Sequence, residues 1–188
     1  GSHDAHGAPL GAAEVAATRA HIDWPHAPFD IPVEVYEQWD GRVRGGFLHS
    51  NWQTRFAAYA AAFPEQAAEF SRRMQGELPT GWQDTVAGCL AGAVSAGGVA
   101  TRKASQNAIA ALAPQLPELV GGSADLTGSN LTWWPGAQAI ARQQGGNYIY
   151  YGVREFAMTA IANGLALHGG LIPYTATFLV FSDYARSA

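Results

Sequence analysis

Glu155 is the residue of this sequence with the most chemical potential, because the pattern around it asks a carboxylate to be buried. In the stretch Tyr151 to Met158, YGVREFAM, a helix from about Val153 to His168 places Glu155, Met158, Ile161, Ala162 and Leu165 on one face. Glu155 therefore points inward. An unpaired buried carboxylate is costly to desolvate, so it must pair with a cation, keep its proton, or share that proton with a ligand. Arg154 is not the obvious partner, since adjacent helical residues diverge by about 100°. A second reading stays open: at a helix N-terminus the same carboxylate faces the positive end of the helix dipole and bonds a free backbone N–H.

Other residues could assist. Arg102 and Lys103 fall in the first turn of a helix over Thr101 to Ala113, where cations oppose the dipole. Either the pair is a solvated helix start, or a phosphate at the helix N-terminus, clamped by arginine, compensates. Gly121 and Gly122 follow a short apolar run, Glu118 to Val120, and serve either a tight turn or a close backbone approach to a ligand. Asp125 and Ser129, in the polar stretch beyond, fit local turn bonds as well as ligand contacts. Phe178, Phe181 and Tyr184 recur at steps of three, the spacing of a core stripe or of a wall that receives a flat heterocycle. His3 and His6 have no companions at metal spacing, so zinc explains them poorly. Loop histidines of this kind mostly lie at the surface, and His168 reads as structural.

The elements that must position these groups change character along the chain. From Gly11 to about Val86 the pattern is helical and punctuated: AAEVAATRAHI, a proline-bearing turn region from Trp24 to Pro32, EVYEQWDGR, WQTRFAAYAAAF, and PEQAAEFSRRMQG with Pro64 at a first helical position and Gly76 at the end. No strands intervene, as in a packed connector. Ala87 to Ala100, AGCLAGAVSAGGVA, has little patterning and marks the expected boundary. After it come the Thr101 helix, the run ending at Gly121-Gly122, a strand over Asn147 to Tyr151, the Glu155 helix, a strand over Leu171 to Ala176, and a helix beginning near Phe178. Strands alternating with helices predict an α/β layer with a mainly parallel sheet.

Composition narrows the class. Charged residues make up 14% of the 188, against roughly 25% in an average soluble protein, while 48% are hydrophobic. That balance predicts surface covered by further chain or by a partner subunit. A net charge of −4 leaves no basic patch for nucleic acid, and no 18-residue apolar run suits a membrane span. The lone Cys89 has no thiol companion for a disulfide or metal site, which fits a reducing, cytoplasmic setting.

The segments HDAHGAPLG, ATRKASQNAI, LPELVGGSADLTGSNLTWW, YIYYGVREFAMTAIANGLALHGG and PYTATFLVFSDYARSA resemble consecutive pieces of transketolase, in that family's order and spacing. Gly1-Ser2-His3, which looks like a tag remnant, reads instead as the head of that family's G-T/S-H-D-x-H-G stretch. The resemblance implies a thiamine-diphosphate-binding α/β fold with a mainly parallel sheet, preceded by a helical connector. It implies a fragment of a longer chain: residues 1–10 end a diphosphate-binding domain, 11–100 form the connector, and 101–188 are the truncated N-terminal half of a pyrimidine-binding domain.

The activity implied is transfer of a two-carbon ketol group from a ketose phosphate to an aldose phosphate in the pentose phosphate pathway. By resemblance Glu155 protonates N1′ of the cofactor's aminopyrimidine. Phe181 stacks on that ring, with Phe178 and Tyr184 beside it. Asp125 lies at the cofactor, His6 contacts cofactor and substrate near the diphosphate, and Arg102 and Ser129 bind the sugar phosphate. Gly128 stands where many relatives carry Pro or another small residue. Mg²⁺, or Ca²⁺, is expected through residues outside the chain, and the active site is shared across a homodimer interface. Two alternatives stay open: a ketol transferase like dihydroxyacetone synthase, and a non-catalytic dimerisation module built from the same domain.

Overall fold

A computed structural model describes residues 3–188; Gly1 and Ser2, the head of the motif read above, lie outside the described residues. The chain forms two compact units, one ending at Ala57 and one from Ala58 to Ala188. The first unit begins with a 3-10 turn over His3–His6, followed by helices α1 (Gly11–His21) and α2 (Val33–Trp39). Helix α3 (Arg42–Ala62) runs across the limit of the two units. None of these helices buries a side chain, and Phe29, Trp39 and Val43 are largely exposed. No described helix is long and apolar enough to cross a membrane.

The second unit continues with α4 (Pro64–Met74), which starts on Pro64 and stops before Gly76, whose φ of +72° suits glycine. Helix α5 (Trp82–Ala96) occupies most of the weakly patterned stretch at 87–100. The small Ala and Gly side chains that blur the amphipathic signal let α5 pack against α6 (Thr101–Leu112), and only Gly97 and Gly98 break the chain between them. A 3-10 turn, Ala113–Gln115, leads into the sheet.

Three parallel strands make the sheet, β1 (Leu119–Ser123), β2 (Tyr148–Tyr150) and β3 (Ile172–Ala176), in the spatial order β2-β1-β3. The strand expected to stop before Gly121 therefore runs through both glycines. The reason is crowding. Gly121 lies level with Tyr148 on one side and Tyr174 on the other, and a β-carbon there would collide with the Tyr174 carbonyl and ring. One on Gly122 would strike the Ile149 backbone. The glycines admit a close approach, but of neighbouring strands rather than of a ligand.

Between β1 and β2 lies the single turn α7 (Thr127–Asn130), and β2 leads into α8 (Glu155–His168). Helix α8 starts two residues later than the pattern suggested, because Gly152 has a φ of +67° and Arg154, at φ −149° and ψ 60°, is outside the helical region. The Arg154 guanidinium folds back to donate to the Tyr151 carbonyl at 2.9 Å, closing that turn. A 3-10 turn, Leu179–Phe181, and α9 (Ser182–Ala185) follow β3, so the helix expected near Phe178 is two short pieces.

An ion-pair network anchors the amino ends of the strands. Glu118 is buried just before β1, and Arg72 of α4 grips its carboxylate with two donors, each at 2.9 Å. Arg72 also donates to Glu69 and to the Glu77 carbonyl, while Arg73 reaches Glu69 at 2.7 Å. Burial raises the Glu118 carboxyl, but the bonds from Arg72 and the charges of Arg72 and Arg73 outweigh it and hold it below the usual carboxylate range. Bonds from Arg72 and Arg73 bring Glu69 from 4.5 to about 2.

Both carboxyls are depressed in the fold, so their stabilisation is present above the ordinary carboxylate range and is lost as pH falls through their lowered values, about 2 for Glu69. Glu118→Gln is expected to lower unfolding free energy by about 3 kcal/mol at neutral pH, since one partner of a buried pair is removed. In urea melts between pH 6 and 3 its stability should fall less steeply than that of the parent chain; parallel curves would show that the pair contributes nothing.

Candidate functional site

In a parallel sheet, ligand-facing residues gather beyond the carboxyl ends of the strands. Here the three ends lead directly to Ala124 and Asp125, to Gly152 through Glu155, and to Thr177 and Phe178. The ends of β1 and β3 are tied: the Ala176 carbonyl accepts from the Ala124 amide at 3.0 Å and from the Ser123 hydroxyl at 3.1 Å. Asn130 in turn donates to the Ser123 oxygen at 2.9 Å. Ser123 is wholly buried, so this chain of bonds works away from water, where a lost partner is costly.

Glu155 is the first residue of α8 and borders a cleft of about 390 Å³ with Ala124, Asp125, Leu126, Val153, Phe181 and Tyr184. The inward position expected of it is thus only partly realised: the side chain is half-buried and faces a cleft, whereas Met158 on the same face is 1% exposed. Ile161, assigned to that face, is 48% exposed. The two readings of Glu155 are not exclusive, for it sits both at a helix N-terminus and at a concave surface. No hydrogen bond to its carboxylate occurs among the described residues.

The aromatic row is real but is not a core. Phe178 and Phe181 stack with centroids 5.9 Å apart, and Phe181 meets Tyr184 at 6.1 Å and 38°. Phe178 and Tyr184 are exposed and Phe181 is half-buried. A surface row keeps ring faces available, as a flat ligand requires. Phe178 borders a second cleft, of about 540 Å³, so the stacked pair touches both.

Arg102, Ser129, Asn130, Thr177 and Phe178 line that second cleft, and the Arg102 guanidinium lies 3.4 Å from the Ser129 carbonyl. Thr177 Oγ1 is buried with no partner among the described residues. Lys103 instead donates to Gln106 at 2.9 Å. Asp125 is exposed and holds a φ of +59°, which sharpens the turn out of β1 and brings Leu126 to the first cleft.

His6 lies in the first unit, exposed in its 3-10 turn, and His3 is 3.3 Å from Asp4. His168 ends α8 beside the Gly169 carbonyl. Among the described residues no three His, Cys, Asp or Glu side chains gather as metal ligands.

A larger cleft, about 550 Å³ between α5 and α6, is lined by Gly, Ala, Val99, Cys89 and Asn107 and brings together no acid, base or cation. The Glu155 cleft is where the chemistry concentrates. Its lining, the carboxylates of Glu155 and Asp125 with an aromatic row, fits the aminopyrimidine end of thiamine diphosphate, a flat heterocycle with ring nitrogens. It offers nothing basic to a diphosphate.

Sequence reasoning missed Val153 and Leu126 as lining groups and Asn130, Thr177 and Gln106 as neighbours of the second cleft. Leu126 and Asn130 adjoin motif residues, which is a usable signal. Thr177 likewise adjoins Phe178, whereas Gln106 has no such neighbour, because its contact with Trp133 depends on a partner distant in sequence.

Two family models match the sequence: the transketolase thiamine diphosphate binding domain over residues 1–79, and the transketolase pyrimidine binding domain over residues 97–188. The whole chain is 56% identical to Transketolase 1 of Escherichia coli K12 and 58% identical to Transketolase 2 of Xanthobacter flavus, covering 28% of each. It thus spans little more than a quarter of the length of these relatives. Among solved structures, transketolase from Leishmania mexicana superposes with a TM-score of 0.78 at 38% identity, over 96% of this chain and 27% of that one. A Pichia stipitis transketolase in complex with sedoheptulose-7-phosphate gives 0.74 at 37% identity, over 88% of this chain and 26% of that one.

Ser123→Ala is expected to leave the fold intact but cost about 1–3 kcal/mol by unpairing Asn130. Hydrogen exchange should quicken at the amides of Asn130 and Thr132 and not in α4; uniform change across the unit would contradict the pinning role.

Proposed function

Because this chain belongs to the transketolase family, we propose that it supplies the pyrimidine-facing side of a thiamine diphosphate site in a ketol transferase of the pentose phosphate pathway. The substrates proposed are a ketose phosphate donor and an aldose phosphate acceptor, in keeping with the sugar phosphate held by the Pichia stipitis relative. The observation that carries this reading is the juxtaposition of the Glu155 cleft and the Arg102–Ser129 cleft at the carboxyl end of one sheet, with the Phe178–Phe181 stack bordering both.

Bound there, thiamine diphosphate supplies the carbanion chemistry that cuts and transfers the two-carbon unit. Glu155 holds a proton against N1′ of the pyrimidine ring, and a carboxyl group with no hydrogen-bond partner among the described residues is free to do so. Phe181 packs on the ring face, with Phe178 and Tyr184 extending the wall. Asp125 shapes the turn at the rim. Arg102 and Ser129 hold the sugar phosphate, so that binding remote from the reacting carbons orients them. His6 contacts cofactor and substrate toward the diphosphate of the other active site of the dimer, not the one that Glu155 of the same chain serves, and Mg²⁺ or Ca²⁺ is held by residues outside this chain.

The domain assignment goes with this: residues 1–10 belong to the diphosphate side, 11–100 form the helical connector, and 101–188 belong to the pyrimidine side. The site is shared across a homodimer. The low charge content and exposed apolar side chains such as Leu167 and Leu179 support a chain that meets further protein surface. The composition supports a cytoplasmic enzyme that binds neither nucleic acid nor membrane.

Two outcomes test the reading in a full-length transketolase bearing this chain. Glu155→Gln should retain cofactor binding yet lower kcat by at least about a hundredfold, with slowed exchange of the thiazolium C2 proton; exchange at the parent rate would remove Glu155 from proton control. Arg102→Ala should raise KM for a phosphorylated donor by about ten- to a hundredfold and leave an unphosphorylated ketol donor nearly unaffected, since a charge-assisted bond is lost only with the former. Equal losses with both donors would count against a phosphate role.

A further inference from the structure

Arg102 and Gln106 stand one turn apart on the same face of α6, and both reach the segment after β1. Arg102 points its guanidinium at the Ser129 carbonyl, and Gln106 donates its amide to the Trp133 carbonyl at 2.7 Å. Each pair is 27 residues apart in sequence, so the two bonds are successive rungs between α6 and residues 129–133. They are not equal. The Arg102 rung, at 3.4 Å, is at the limit of a hydrogen bond, while the Gln106 rung is short.

The rest of the segment is fastened too. Thr127 and Thr132 share the buried Tyr148 hydroxyl at 2.7 and 2.6 Å, and Asn130 is bonded to Ser123. Ser129 alone among the hydroxyl and amide side chains from 127 to 132 makes no bond of its own among the described residues, and it borders the cleft.

We propose that Gln106 is a positioning residue for sugar-phosphate recognition: it docks the Ser129 segment on α6 and leaves the Arg102 guanidinium free for the phosphate. The inference rests on the assignment of Arg102 and Ser129 to that phosphate. If Arg102 held the segment itself, turning to a substrate would release the very loop that presents Ser129. The Gln106 rung removes that conflict.

Lys103 completes the device. An ammonium only donates, so its contact at 2.9 Å fixes the Gln106 oxygen on its side and turns the amide N–H₂ toward the Trp133 carbonyl, which only accepts. Neither a carboxylate nor an alkyl chain can make both contacts.

The test compares Gln106→Leu, Gln106→Glu and Arg102→Ala in a full-length transketolase bearing this chain, with a ketose phosphate and an unphosphorylated ketol as donors. Gln106→Leu should raise KM for the phosphorylated donor about three- to tenfold, with kcat within about twofold and the unphosphorylated donor unchanged. Gln106→Glu should do the same: its carboxylate keeps Lys103 but opposes the Trp133 carbonyl. It also carries the test if the leucine variant does not fold. Should Arg102→Ala discriminate between donors while both Gln106 variants match the parent, or lose both donors equally, the positioning role is overturned and the phosphate clamp stands. Should Arg102→Ala itself fail to discriminate, the clamp is overturned and the role of Gln106 falls with it.

Discussion

Everything at the carboxyl end of the sheet depends on two adjacent residues of the central strand having no side chains. Gly121 and Gly122 let β2 and β3 close on β1, with the Tyr174 ring and the Ile149 backbone filling the space that β-carbons would take. The central strand β1 is almost wholly buried and has little room to adjust, so this approach sets where each strand ends. Once the ends are set, Asp125, Glu155 and Phe178 emerge close to one another from segments far apart in sequence. The bonds from Ser123 and Ala124 to the Ala176 carbonyl hold β1 and β3 level at that edge.

The two ends of the sheet are built for different purposes. At the amino end, Arg72, Glu69 and Glu118 satisfy one another, and no group in that network is left with unused bonding capacity of consequence. It is an anchor. At the carboxyl end the backbone is tightly bonded while particular side chains are left open: the Glu155 carboxylate, the Ser129 hydroxyl, Thr177 Oγ1 and the faces of the aromatic row. Rigid backbone with unspent side-chain valences is the arrangement that pre-organised binding needs, because ordering has been completed before the ligand arrives.

The apolar exposure has the same logic at a larger scale. Helices α1 to α3 bury no side chain, and Leu167 on α8 and Leu179 after β3 stand in the open. A chain with 14% charged residues cannot dress such faces in charge, so they suit contact with more protein rather than with water.

Much of this was legible in the residues. The punctuated helices of the first half, the parallel α/β layer, and the Pro64 start and Gly76 stop follow from local patterns and spacing, which encode backbone preference and which face is apolar; a phosphate role for Arg102 came only from the family resemblance. The extent of helix α5 was not legible, since Ala and Gly side chains give no amphipathic contrast. Nor was the path of β1 through its glycines, which local rules read as a turn. Tertiary structure alone decided that Glu155 faces a cleft instead of a core, that Phe178, Phe181 and Tyr184 form a surface wall, and that Gln106 meets Trp133. Each depends on partners brought together across long loops, and periodicity records which way a side chain points but not what stands opposite it.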